Sequence, residues 1–278
     1  MSQGVLLFAH NNERINYGYL AVWQAKLIKQ YLNRPVTLVT DKTTVYDLHN
    51  KKLYDKELFD SVVISDAETD QKRLVGAEWV VFKNVDRCNA YELSPYDETI
   101  VMDTDILLQT AKLNLLWNSN ADLLVSKDAH DVFDRKYPEF VSLKEHGIDF
   151  YWATEFYFKK SDTAKLFFDT CKRIKDNYAW YAILYGMNSS PIRNDHVWSI
   201  ALHELGGTQN GSWAETIPRA LRFSTDKDSI LKIDSAGVTL GTSIKDKTQV
   251  ARVSGQDVHL MNKIQLLEVV KKELGVEE

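Results

Sequence analysis

Two short apolar runs separated by an amphipathic stretch constrain the fold of this chain more than anything else in it. Val5-Leu6-Leu7-Phe8-Ala9 is continuously apolar, and Asn11-Asn12 ends it. Such a run suits a strand buried on both faces of a sheet. Tyr17, Leu20, Trp23, Leu27 and Tyr31 then recur at spacings of three and four, which predicts a helix over 17–32, stopped by Asn33-Arg34-Pro35. Val36-Thr37-Leu38-Val39-Thr40 is the second buried run, ended by Asp41. Strand, helix, strand in so short a span is a βαβ unit, whose crossover makes the strands parallel.

The alternation continues more loosely. Strands are predicted at 61–64, 98–102, 122–126 and 153–158, while 78–82 fits a strand or a helix. Ala164, Phe167, Phe168, Cys171 and Ile174 predict a helix over 162–178. Asn194 can cap a helix over 195–205, which Gly206-Gly207 ends. Residues 214–256 read as short strands and turns, 258–261 as a last strand and 264–274 as a C-terminal helix. With 12 Gly and 5 Pro in 278 residues, disorder and long linkers are largely excluded. The expectation is one α/β domain over 1–278: a mostly parallel sheet first, a mixed half from residue 127 on.

Charge and cysteine content narrow the function. Lys and Arg number 34 against 39 Asp and Glu, a net charge of −5, so nothing resembles a basic nucleic-acid coat. Cys88 and Cys171 lack C-x-x-C spacing, which excludes a zinc ribbon and suggests two reduced thiols. The run Val5–Ala9 is too short for a signal-peptide core, and no window reaches the length of a membrane span. A soluble, cytoplasmic protein is expected.

The first half resembles a nucleotide-binding layer, yet neither G-x-G-x-x-G nor G-x-x-x-x-G-K-[ST] occurs. Phosphates, if bound, need another neutralising group. Asp103-Thr104-Asp105 follows the apolar strand at 98–102. In an extended backbone both carboxylates project the same way, past the C-terminal end of the strand. Paired carboxylates suit Mg²⁺ or Mn²⁺, which can bridge a diphosphate. Asp226-Lys227-Asp228 has the same spacing but follows no evident apolar strand, and reads as a turn.

The stretch Tyr91-Glu92-Leu93-Ser94-Pro95-Tyr96-Asp97, with the apolar strand, Asp103-Thr104-Asp105 and Ile106-Leu107-Leu108 after it, resembles the D-x-D region of GT-A-fold glycosyltransferases. It is most similar to the retaining family that includes glycogenin and bacterial galactosyltransferases. That resemblance implies a Rossmann-like GT-A fold, a nucleotide-diphosphate sugar donor, and Mn²⁺ (or Mg²⁺). It implies that Asp105 and His259 bind the metal, with Asp103 shared between metal and ribose, and Thr104 beside them. Lys263 matches a lysine on the diphosphate, although the stretch from Asp257 to Lys263 is shorter than the family pattern and lacks its Lys-Pro-Trp ending. Arg193-Asn194-Asp195-His196 resembles an Asp-Gln motif at the donor sugar; Asp195 matches, His196 replaces the glutamine. Asp195 is equally suited to a plain role at a helix N-terminus. Ala9-His10-Asn11-Asn12 and Tyr17 match the loop that holds the uracil; Lys83 and Arg87 match a basic position near donor phosphate or sugar. Where the family has Asn-x-Gly on a strand, this chain has Trp152 to Phe158 with Glu155, which leaves the sugar unspecified.

The resemblance thus implies a hexosyl- or pentosyltransferase, with 1–126 binding the nucleotide and 127–278 binding the acceptor and completing the metal site. Asp195 and Arg87 would orient the donor sugar. With retention, the departing phosphate can serve as base, so no protein base is needed. Residues 127–150, polar and aromatic without clear periodicity, are the candidate acceptor loop. Acceptor glycan, protein and modified phage DNA remain open, as do a nucleotidyltransferase and a non-catalytic nucleotide-sugar-binding protein.

Overall fold

The computed structural model describes residues 1–66, 71–75, 78–143, 147–187, 191–207, 213–244 and 247–276. The first elements are β1 (Gln3–Phe8), α1 (Tyr17–Tyr31), β2 (Val36–Thr40), α2 (Lys42–Asn50), β3 (Ser61–Ile64), β4 (Lys72–Val75) and β5 (Glu78–Val81). Then come α3 (Ala90–Leu93), β6 (Glu98–Met102), β7 (Ile106–Leu107), β8 (Leu123–Ser126) and β9 (Ala129–Asp131). The middle of the chain forms β10 (Ser142–Leu143), β11 (Ile148–Asp149), β12 (Trp152–Lys159), α4 (Asp162–Asp176), α5 (Tyr178–Leu184) and α6 (Asn194–Gly206). The last part forms β13 (Glu215–Thr216), β14 (Leu221–Ser224), β15 (Ser229–Asp234), β16 (Gly237–Ile244), β17 (Lys247–Val253), β18 (Val258–Leu260) and α7 (Lys263–Leu274).

The central sheet has seven strands in the order β13-β8-β12-β6-β1-β2-β3. β1 runs parallel to β2 and β6, β2 to β3, and β8 to β13. Only β12 runs antiparallel, to both β6 and β8. The sheet is therefore α/β and mostly parallel, as expected. Val5 to Ala9 are at most 3% exposed, so the apolar run is covered on both faces. The Asn16 side chain caps α1 by accepting the Tyr19 N–H, and the Trp23 indole donates to Glu273 of α7. On the β12 side, Trp198 of α6 sits against Phe156, with ring centroids 5.2 Å apart, and against Phe167 and Phe168 of α4. Cys88 and Cys171 are buried, unpaired thiols. No helix among the described residues is long and apolar enough to cross a membrane.

A second sheet, β7-β18-β14-β9, continues from the first, because β6 passes into β7 across three residues. β15, β16 and β17 form a separate antiparallel sheet. Residues 214–256 thus hold strands of eight and seven residues, longer than expected. Residues 78–81 settle as strand, paired with β4. The helix expected over 162–178 ends at Asp176: the Asn177 amide donates to the Arg173 carbonyl and closes the last turn, and α5 starts separately. Asn194 is the first helical residue of α6 rather than its cap; its side chain donates to the Asn84 carbonyl instead.

Candidate active site

Asp103-Thr104-Asp105 is the link between the two sheets. An extended link was expected, with both carboxylates on one side. Residues 104–105 form a turn instead, because the chain changes sheets there. The Asp103 N–H donates to Thr154 on β12 at 2.8 Å, and the Asp105 carbonyl accepts the Leu260 N–H of β18 at 2.9 Å. Held at both ends, the carboxylates still converge. One ligand atom each from Asp103, Asp105 and His259 lie within 4.8 Å of one another.

His259 sits mid-strand on β18, opposite Ile106 of β7 and beside Phe223 of β14. Its Nε2 is 3.2 Å from Asp105 Oδ2 and 3.8 Å from Asp103 Oδ2. Lys263 opens α7, whose cap Asn262 accepts the Gln265 N–H, and its Nζ is 2.5 Å from Asp105 Oδ2. The Asp105 side chain is fully buried. Burial alone would push its carboxyl up, but Lys263 and His259 outweigh burial and hold it well below the usual carboxylate range. Arg87 is buried beside Asp103, pairs with Asp103 Oδ1, and donates to the Ala153 carbonyl at 2.6 Å. Burial pushes its guanidinium down, while Asp195, Asp105 and Tyr17 favour the charged form.

The donor set suits a hard divalent ion. It offers carboxylate oxygens, which suit Mg²⁺ and Mn²⁺, and one imidazole nitrogen, a ligand that transition metals take more readily than Mg²⁺. Asp105 Oδ1 is buried with no hydrogen-bond partner among the described residues, a costly arrangement that a cation relieves.

A cavity of about 420 Å³ opens over this cluster. Phe8, Tyr17 and Asn84 line it from the β1 side, and Phe140, Trp152 and Arg193 line it from the other. Of the residues singled out in the sequence, Tyr17, Arg87, Asp103, Thr104, Asp105, Asp195, His259 and Lys263 all line the cavity. Ala9, His10, Asn11, Asn12 and Lys83 do not. His10 is 1% exposed, with one ring nitrogen on Asn84 and the other on the Ser65 carbonyl. Asn11 accepts the Gly18 N–H, and Asn12 accepts the N–H groups of Arg14 and Ile15. Thr40 donates to the Ala9 carbonyl. Lys83 lies 3.7 Å from Asp41. Asn11 and Asn12 thus shape the loop after β1, while Lys83 stands beside the cap residue of α2.

Asp195 stands in the first turn of α6, accepts the Ala153 N–H at 2.9 Å and pairs with Arg193 at 2.9 Å, which also ties it to β12. Glu155 forms a buried pair: Arg219 is 2.5 Å away and also reaches Asp257 at 3.0 Å. Burial raises the Glu155 carboxyl against the pull of Arg219. The loop at 127–150 contributes Phe140 to the cavity; its residues 144–146 lie outside the described set.

Among the cavity residues that the sequence leaves without a role are Arg193, Asn84 and Asp226. Arg193 stands two positions from Asp195, an opposite-charge pair that the sequence displays. Asn84 offers no sequence signal; its side chain accepts the His10 N–H and its carbonyl accepts from Asn194, joining the β1 exit to α6. Asp226 was set aside with its turn. The turn exists, but β14 does precede it, which corrects the expectation that no strand did.

Solved structures resemble this architecture. An active-site mutant of LgtC matches with a TM-score of 0.46 at 11% identity, over 71% of this chain and 69% of that one. The galactosyltransferase LgtC with donor and acceptor sugar analogs matches at TM-score 0.45 and 13% identity, over 73% and 70%. Mouse xyloside xylosyltransferase 1 matches at TM-score 0.45 and 9% identity, over 73% and 82%. No protein-family model and no curated protein sequence matches the chain.

Proposed function

We propose that this protein is a metal-dependent glycosyltransferase that moves a sugar from a nucleotide-diphosphate donor, a UDP-sugar first, to an acceptor hydroxyl with retention. The observation that carries the reading is the convergence of Asp103, Asp105 and His259, brought from two sheets, on a cavity where Arg87 and Lys263 stand beside them. Two cations next to a carboxylate–histidine ligand set suit an anion that travels with a divalent metal. Asp103, Asp105 and His259 hold Mn²⁺ (or Mg²⁺), which supplies charge stabilisation to the departing diphosphate. Lys263 and Arg87 bind the phosphate oxygens, Arg87 through its planar fork. Tyr17 and Phe8 border the base, while Asp195, fixed by Ala153 and Arg193, orients the sugar hydroxyls. Thr104, 3% exposed, lines the cavity between the two carboxylates.

A panel of nucleotide sugars, with hydrolysis measured with and without Mn²⁺, tests the reading. At least one donor should be hydrolysed slowly with Mn²⁺ and not after chelation. Asp105→Asn should lower Mn²⁺ affinity by about 100-fold or more and abolish that hydrolysis. Unchanged Mn²⁺ and UDP binding in Asp105→Asn would refute it.

A further inference from the structure

Besides Tyr17, eight titratable side chains line the cavity: Arg87, Asp103, Asp105, Arg193, Asp195, Asp226, His259 and Lys263. Six of them pair off, Arg87 with Asp103, Lys263 with Asp105, and Arg193 with Asp195. His259 faces Asp105. Asp226 is exposed and makes no ion pair among the described residues, so the cavity carries one surplus negative charge there.

That charge is held in place from behind. Asp226 stands in the turn 225–228 between β14 and β15. Two residues on, Asp228 accepts both the N–H and the hydroxyl of Thr225, at 2.7 and 3.0 Å. Arg135 grips Asp228 through both terminal nitrogens, at 2.8 and 2.5 Å, and grips Asp131 of β9 at 2.9 and 2.6 Å. Both carboxylates are fully buried. The Asp228 carbonyl also accepts from Asn262, which caps the helix bearing Lys263. A buried two-carboxylate clamp is costly to form and rigid once formed. Here it fixes a turn whose only charged group aimed at the cavity is Asp226.

Topology separates this wall from the β1 side. In the second sheet the order is β7-β18-β14-β9, so β14 lies beyond the metal ligands, away from β1 and β2. Phe223 of β14 packs against Trp152 and Phe140, at 5.3 and 5.5 Å between ring centroids, on that same side.

Resting on the glycosyltransferase reading, we propose that Asp226 is a specificity contact on the acceptor side of the cavity, with Arg135 as its positioning residue, selecting neutral or amine-bearing polyol acceptors and disfavouring phosphate-bearing polymers such as nucleic acid. A fixed carboxylate accepts hydroxyl or ammonium hydrogen bonds and repels anions.

The test measures binding of three glycosides to the protein by NMR titration: aminoethyl glucoside, methyl glucoside and methyl glucuronide. Affinity should fall in that order, with about tenfold between the first and the last, as expected for one partly exposed charge that attracts one probe and repels the other. Asp226→Asn should compress the span to about twofold, and Asp226→Lys should reverse the order. Arg135→Met should flatten the order, and Arg135→Lys should restore part of it. No charge order in the unmodified protein, or the same order in Asp226→Asn, overturns the proposal. An order that persists in Arg135→Met removes the role of Arg135. Mn²⁺-dependent donor hydrolysis is read separately. Charge order without hydrolysis refutes the transferase and keeps the subsite, and hydrolysis without charge order does the reverse.

Discussion

Arg219→Met isolates the buried charge behind the candidate site. Arg219 bridges Glu155 on the central sheet and Asp257, two residues before His259 on the second. Both acid side chains are fully buried. When Arg219 is removed the two acids fare differently. Asp257 still accepts N–H groups from Gln109 and Thr110 and the Thr110 hydroxyl. Glu155 keeps one weak donor, the Ser126 hydroxyl at 3.3 Å. Glu155 is already raised by burial in the presence of Arg219, and without it the carboxyl should take up a proton. Protonating a carboxylate of ordinary pKa at pH 7 costs at most about 3.7 kcal/mol, and at pH 5 about 1 kcal/mol. A group whose folded pKa is raised contributes its stability below the unfolded pKa and loses it as pH rises through the folded one. The deficit of the variant should therefore grow from pH 4 to pH 7. Breaking buried pairs typically costs about 3–5 kcal/mol, which agrees with the upper value. Over 278 residues, at roughly 2.1 cal/mol/K per residue, that upper bound corresponds to a fall in Tm of at most about 6 °C. Urea unfolding followed by tryptophan fluorescence at pH 5 and pH 7 reads both numbers. The double variant Arg219→Met/Glu155→Gln should lose the pH dependence. A deficit below about 1 kcal/mol at pH 7, or one equal at both pH values, would refute the argument.

Two further perturbations probe the ligand cations and the sheet. Lys263→Met should weaken UDP binding at saturating Mn²⁺ by about tenfold, as loss of a charged phosphate contact does. Mn²⁺ affinity without nucleotide should hold or rise, since Lys263 no longer occupies Asp105 Oδ2, and titration calorimetry separates the two. Gly4→Ala would drive a methyl group into the Tyr96 ring, because Gly4 in β1 packs directly beneath it. About 1–3 kcal/mol of overpacking strain is expected in urea unfolding, with the Thr37–Tyr96 hydrogen bond of 2.8 Å disturbed.

The parts of the fold legible in the sequence are those where burial writes a pattern. The apolar run from Val5 to Ala9 is buried on both faces, and strands of that kind leave an unbroken signature. α2 was passed over because only Thr44 and Leu48 of its nine residues are buried, which leaves no stripe to find; its signal was the Asp41 cap, which accepts the Thr44 N–H. β17 is similarly silent: most of its residues are exposed, and its pairing with β16 does the specifying. Within the site, Asp103 and Asp105 were legible because they end an apolar strand. Asn84 and Arg135 were not, since a single polar residue in a loop carries no periodicity. His10 to Asn12 bond within the protein, and loop polar groups look alike in sequence whether they face a ligand or their own backbone.

Charge balance links the two sides of the functional reading. In the structure, the carboxylates of Asp103 and Asp105 are neutralised by Arg87 and Lys263. On the proposed function, a divalent ion and a doubly negative diphosphate ester enter together as a neutral unit. Asp103 and Asp105 would then hold the ion, and Arg87 and Lys263 would be left to pair with the phosphates. No charge is left unpaired in either arrangement, so the buried Asp105 never bears the several kcal/mol that an isolated buried ion costs. Arg87 is anchored on the Ala153 carbonyl, whereas Lys263 reaches Asp105 on a flexible stem. Asp226 takes no part in this exchange. Its charge is the same before and after the donor enters, which suits a residue that selects the second substrate rather than holding the first.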